Sequence, residues 1–316
     1  MRPTPHILVI NGTKVRRPVF VLGAPHSGTD LLARAVKQAA GFHLTAGRPG
    51  VLRVTYAFAR RPAIASERGR GAARVLRDAY AEAWQISPRG CAQCPAECRA
   101  LAGLPPTGAP DAPDAGLACA QPHGVHRFAD ASPDLIYSAD VLLDAFPDAQ
   151  LLQVIRDGRD VVAGMLADER CLAWFKPGFA NLEEVFPNPF LGVEDFIDRN
   201  RWPTAAPAVK CALRWRGSVR LSARLRAQVP EDQLFTVRYE DLVARPGAVA
   251  EDVSQYLGAP LSKAALTGLV RAGDRGAQEG AVGAWRERLT PKQLAQVERV
   301  AGQELRRLGY RLSGAG

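Results

Sequence analysis

The sequence lacks long hydrophobic runs: nowhere do 18 apolar residues stand together, so no membrane-spanning helix is expected. Lysine is scarce, with six among 41 basic residues, so arginine carries most of the net charge of +9. That bias assigns no function by itself, although a basic protein suits a strongly anionic ligand. No basic run interleaved with aromatics is present, which argues against a nucleic-acid partner. The apolar stretch near the N-terminus, residues 7–10, is too short for a secretory signal. Without one, the six cysteines argue against a disulfide framework, and the cytoplasm is the expected compartment. What is present is a chain of 316 residues, 47% hydrophobic, enough for one large α/β domain over 1–316. The expectation includes a Cys/Pro/Gly-rich insertion at about 87–126 and an aromatic-rich cap at about 171–203.

The chain is organised around residues 19–32, VFVLGAPHSGTDLL. Four apolar residues stop at Gly23, Gly28 follows after four residues, and helical apolar spacing begins at Leu31 and Leu32. This predicts a buried strand, a tight glycine loop and a helix start. Free backbone N–H groups in such a loop favour an anion. A nucleotide-triphosphatase loop needs Lys-Ser/Thr after its second glycine. Here Thr29-Asp30 stands there, so ATP with magnesium is disfavoured.

GAPHSGTDLL resembles the 5′-phosphosulfate loop of sulfotransferases, usually G-x-P-(Arg/Lys)-S-G-T-T-x-L. Two later stretches extend the resemblance. LLQVIRDGRDVVAG, residues 151–164, is similar to the strand–turn–helix that binds the 3′-phosphate of 3′-phosphoadenosine 5′-phosphosulfate (PAPS). LFTVRYEDLVARPGAVAEDVSQYL, residues 234–257, is similar to the family's late strand and helix. The resemblance implies a three-layer P-loop-type fold with a central parallel sheet flanked by helices. It also implies transfer of a sulfuryl group from PAPS to a hydroxyl or amine of a small-molecule, carbohydrate or natural-product acceptor. Gly23, Ala24, Pro25, His26, Ser27, Gly28, Thr29 and Asp30 would hold the 5′-phosphosulfate. Arg156 would pair with the 3′-phosphate, where guanidinium geometry suits two oxygens. Gly164, Tyr239, Trp285 and Arg286 complete the implied cofactor contacts, the last two in a Gly283-Ala284-Trp285-Arg286 segment that matches the family's Gly-x-Trp-Arg. Arg159 and Asp160 read better as braces of the turn.

The residues depart from the family pattern at four places. His26 stands where the family has Arg or Lys, and its charge depends on pH. Gly164 replaces a serine. Ala46-Gly47-Arg48 carries no carboxylate where the family often has its base. Asp130-Ala131-Ser132-Pro133 lacks the family lysine. A base must then come from elsewhere, and the candidates are His126 and Asp130, with His43 as the alternative. A non-catalytic nucleotide-binding protein of the same fold, and a P-loop kinase, are the rival readings.

Cys91-x2-Cys94-x3-Cys98, with Cys119 following, offers two readings, scattered reduced thiols or one structural zinc. Residues 174–202 hold seven of the 22 aromatics, as an irregular cap or an acceptor pocket. Among the remaining elements, an Asn11-Gly12 hairpin precedes the first core strand. A second strand is expected at 51–54, helices at 72–84 and 135–146, a strand at 151–155 and a helix from 160 to 166. A long helix over 207–229, a strand at 233–238 and helices at 246–257 and 289–308 follow.

Overall fold

The computed structural model describes residues 7–58, 69–92, 94–104, 118–173, 175, 195–276 and 281–314. Most of the 174–202 aromatic segment and part of the 87–126 insertion therefore lie outside the described residues. Val9–Ile10 (β1) and Thr13–Lys14 (β2) form the hairpin that Asn11-Gly12 predicts. The first core strand, Val19–Leu22 (β3), is buried throughout. Phe42–Thr45 (β4), Arg127–Asp130 (β5), Gln150–Ile155 (β6) and Leu234–Arg238 (β7) join it. The five pair in the order β4-β5-β3-β6-β7, every pairing parallel.

Alternation along β3 divides the core into two layers. Phe20 and Leu22 face one cluster, which includes Leu76, Tyr80 and Trp84 of the stretch 69–84 and Leu142 and Phe146 of the stretch 139–146. Aromatic rings dominate there: Tyr80 and Trp84 stack at 4.6 Å, and the Trp84 indole donates to the Ala129 carbonyl at 3.0 Å. Val19 and Val21 face the other cluster with Leu32 and Val36 of helix Thr29–Gln38 and Val249, Ala250 and Val253 of helix Pro246–Leu257. Such two-sided burial is what a parallel sheet demands. A third cluster joins Val161, Val162 and Met165 of helix Gly158–Ala167 to Cys211 and Trp215 of helix Pro207–Gln228 and Val297, Ala301 and Leu305 of helix Pro291–Arg307. The last helix begins with the capping box of Thr290 and Gln293.

Three element expectations are corrected. Residues 51–54 belong to helix Pro49–Phe58, opened by its proline, and not to a strand. The strand after helix Thr29–Gln38 is β4, which follows Gly41 at φ 83. β5 was not expected at all. Finally, residues 135–146 split into a 3-10 turn, Leu135–Ser138, and a helix, Ala139–Ala145, because Asp134 enters with a left-handed backbone at φ 64.

The order of connections matters for function. The chain leaves β3 towards β4 on one side and leaves β6 towards β7 on the other. The crevice between the carboxyl ends of β3 and β6 is thus the topological switch point, where open α/β sheets bind ligands.

Candidate active site

The glycine loop fills the β3 side of that crevice. Gly23 has no room for a side chain: an added β-carbon would lie 2.7 Å from the Thr29 methyl and 3.0 Å from the Val154 carbonyl oxygen. Ser27 is buried, and its hydroxyl donates to the Ala24 carbonyl at 2.6 Å, closing the loop on itself. Gly28 caps helix Thr29–Gln38 with φ 93 and offers no side-chain cap. The first-turn N–H groups of this helix therefore look to a ligand or water. Asp30 is exposed on the first turn.

The β6 side supplies Arg156, buried directly after the strand. One guanidinium nitrogen donates to the His26 carbonyl at 3.2 Å, the other to the Ala281 carbonyl at 3.0 Å. The guanidinium also lies 4.2 Å from the centroid of the Tyr239 ring, at the carboxyl end of β7. Loop, Arg156 and Tyr239 are thus brought together.

The turn after β6 is braced. Asp157 caps helix Gly158–Ala167 through the Arg159 N–H. The Arg159 side chain pairs with Asp157 at 2.8 Å and Glu298 at 3.0 Å. Asp160 accepts the backbone N–H groups of Gly283 at 2.8 Å and Trp285 at 2.9 Å. Burial pushes the Asp160 pKa up, and those two N–H groups pull it back. Trp285 is buried in the third core cluster, with the guanidinium groups of Arg159 and Arg286 at 4.1 and 4.5 Å from its ring. It supports the 281–286 segment from beneath. Arg286 lies at the surface of that segment.

The expected bases fall in three different places. His126 is exposed and precedes β5, with its N–H on the Gly41 carbonyl at 2.8 Å. That is the amino edge of the sheet, opposite the loop. His43 is buried on β4, and burial, helped by the charge of Lys37, drops its pKa to about 3. Asp130 ends β5 on the loop's edge of the sheet, but its oxygens are taken: Thr45 donates at 2.6 Å, the Ser132 N–H at 2.8 Å and the Tyr80 hydroxyl at 3.3 Å. Burial raises its pKa to about 6 against those donors. The arrangement makes Asp130 a brace between strands.

His26 is the one candidate inside the loop. Its backbone is left-handed at φ 63, and its ring Nε2 lies 3.0 Å from Asp168 Oδ2. No motif in the sequence points to Asp168 itself. Gly164, expected as a cofactor contact, lies beneath this ring: a β-carbon there would meet His26 Cγ at 2.8 Å.

The zinc expectation is not supported. Cys91 and Cys119 bring their sulfurs to 3.6 Å, but an Arg48 guanidinium nitrogen lies 2.9 Å from Cys94 Sγ, where it would repel a cation. Among the described residues, the metal-capable side chains whose donor atoms all lie within 4.8 Å are His26, Asp168 and Cys171, not the four cysteines. All six cysteines are free thiols.

A capless helix start and a buried arginine thus face each other across the switch point of a parallel α/β sheet, the place where such sheets bind ligands. The chain belongs to the sulfotransferase family, whose profile matches residues 18–179 and 196–263. Among solved structures it is similar to a sulfotransferase from Alicyclobacillus acidocaldarius, at 15% identity over 95% of this chain and 98% of that one, with TM-score 0.47. The sulfotransferase domain from the curacin biosynthetic pathway gives 16% identity over 94% and 99%, with TM-score 0.46. A mouse sulfotransferase complexed with PAP gives 13% identity over 94% and 87%, with TM-score 0.43. No curated protein matches the chain by sequence. Among the described residues no helix is long and apolar enough to cross a membrane.

Proposed function

We propose that the protein transfers a sulfuryl group from PAPS to a hydroxyl or amine of a small-molecule, carbohydrate or natural-product acceptor. The observation that carries this reading is the approach of Arg156 to the loop, 3.2 Å from guanidinium nitrogen to the His26 carbonyl, across the switch point. A doubly anionic nucleotide needs two positive poles, and this crevice has them. The first-turn N–H groups after Gly28 and the loop amides suit the 5′ end. Arg156, held between carbonyl acceptors, suits a 3′-phosphate, which would replace neutral acceptors by a charged one. Gly23 and Gly28 are kept bare by the chain's own packing, a β-carbon at the first meeting Thr29 and Val154 and at the second the Tyr239 ring, which fixes the shape of the loop.

When bound, PAPS supplies the activated sulfuryl group. The chain's own part is to hold that group in line, to meet developing oxyanion charge with N–H donors, and to present the acceptor. His26 is proposed as the loop's side-chain donor to the anionic 5′ end of the nucleotide. His126 and His43 are withdrawn as bases by their positions, and Asp130 by its hydrogen bonds. That withdrawal also favours the second reading, a nucleotide-binding protein of this fold that performs no transfer. Six free thiols fit a reducing compartment, so the cytoplasm is the proposed location.

Calorimetry without magnesium tests the proposal. Adenosine 3′,5′-bisphosphate (PAP) should bind well and ATP poorly. Equal affinity for the two would overturn it, and binding without turnover of labelled PAPS across a panel of acceptors would favour the second reading.

A further inference from the structure

The His26–Asp168 contact joins residues 142 positions apart in sequence and places a carboxylate against the anion loop. A carboxylate beside an anion site is unfavourable unless a cation stands between them. His26 stands there. We propose that Asp168 is a positioning residue that holds the His26 ring in one orientation and in its cationic form, in the room that Gly164 leaves. The inference rests on the reading of the loop as the site of a sulfated nucleotide.

Asp168 is itself fixed from its other side. Its Oδ1 accepts the Arg170 N–H at 2.9 Å and lies 3.4 Å from Arg170 Nε. The Cys171 thiol donates to Oδ2 at 3.7 Å, and burial pushes that thiol's pKa up to about 11, so it stays protonated. Burial works against the Asp168 carboxylate, but the Arg170 N–H, the Arg170 charge and His26 outweigh it and hold the carboxyl below its ordinary range. The ring is located from a third direction. A β-carbon at Gly164 would stand 2.8 Å from His26 Cγ and 3.0 Å from Nδ1, so any side chain there would displace the imidazole.

Other charges reach the same place from neighbouring elements. Arg156 donates to the His26 carbonyl at 3.2 Å, and Asp160, 4.0 Å from Arg156 Nε, offsets its charge. The Arg170 side chain is 79% exposed and screened by solvent. Asp168 is a carboxylate in direct contact with the ring at 3.0 Å, and a negative charge there favours the imidazolium over the neutral ring. The loop then carries a switchable cation in line with Nε2, and its grip on an anion strengthens as pH falls through the His26 midpoint.

Two measurements test this on the intact chain. NMR titration of His26 in the free protein should show its midpoint falling by about one pH unit in Asp168→Asn, with Gly164→Ala shifting it in the same direction. Binding of PAP, followed by calorimetry from pH 5.5 to 8.5, should weaken at a lower pH in Asp168→Asn, while both proteins bind within about twofold at pH 5.5. In a His26→Lys background the Asp168→Asn change should no longer move the pH profile. An unmoved His26 midpoint, or an equal loss of affinity at every pH, would overturn the proposal. Failure of PAP to bind the unmodified protein would instead sink the proposed function, and the NMR midpoint would still decide the role of Asp168.

Discussion

The ring of Tyr239 packs directly on the bare α-carbon of Gly28: a β-carbon there would lie 2.5 Å from a ring carbon. This contact seats the end of β7 on the start of helix Thr29–Gln38 and closes the anion loop from the side of Arg156. Gly28 also needs φ 93, which costs other residues strain. Gly28→Ala should therefore lower stability by about 1–3 kcal/mol and weaken PAP binding by more than about tenfold. Tyr239→Ala in the same chain should recover part of the stability. Denaturant melts and calorimetry read both quantities, and unchanged binding in Gly28→Ala would contradict the placement of the anion at this helix start.

Arg156 should matter through its charge and its fork. Arg156→Ala should weaken PAP binding by about 1.5–3 kcal/mol, and binding of adenosine 5′-phosphosulfate, which lacks the 3′-phosphate, far less. Paired titrations with the two ligands decide it. Equal losses would mean that Arg156 braces the crevice and does not touch the 3′-phosphate.

Asp130 links stability to pH. Its pKa is raised to about 6 in the fold from an ordinary 3.8, with burial as the cause. A raised carboxyl contributes stability that is fully present below the unfolded value and lost as pH climbs through the folded one. The loss between about pH 4 and 6 amounts to about 3 kcal/mol. His43 acts with the opposite sign: held at about 3, it loses stability as pH falls below 6.5. The clean comparison is between the protein and Asp130→Asn. The difference in unfolding free energy between them should change over pH 4–6, and a flat difference would show that Asp130 is not titrating in that range.

Asp134 and Arg214 form a buried ion pair with contacts of 2.6 and 2.7 Å. The Tyr56 hydroxyl donates to Asp134 at 3.3 Å, and the Tyr137 hydroxyl to the Arg214 carbonyl at 2.8 Å. The pair ties helix Pro207–Gln228 to the turn after β5 and to helix Pro49–Phe58. Asp134→Asn alone strands a buried guanidinium and should cost about 3–5 kcal/mol, whereas Asp134→Asn with Arg214→Met should cost less than the two single changes added together. Chemical denaturation of the four proteins completes the cycle.

The parts of the fold that sequence makes legible are those whose apolar pattern survives burial. β3 and β6 are nearly continuous apolar runs ending at a glycine or an arginine, and the spacing of Gly23 and Gly28 announces the loop. β4 and β5 hide because they bury polar groups. His43, Thr45 and Asp130 are almost fully buried, and Arg127 at the start of β5 reaches over the Phe42 ring at 5.0 Å. A strand made acceptable by partners from distant segments carries no periodic signal. By contrast, Val51 and Val54 look strand-like, yet Pro49 opens a helix there that packs on helix Gly69–Ala83. In the site, Arg156 and the loop follow from local motif, while the His26–Asp168 contact spans 142 residues. The absence of a side chain at Gly164 was its single local trace.

Arg156 rests its guanidinium on the carbonyls of His26 and Ala281, neutral acceptors that an anion would replace under the proposed function. An anion that claims the guanidinium takes it away from both, leaving the 281–285 stretch tied by the two amides that Asp160 accepts and by the buried Trp285. Occupancy of the crevice should therefore be audible far from the loop, as a change in the hydrogen-exchange rates of Gly283 and Trp285.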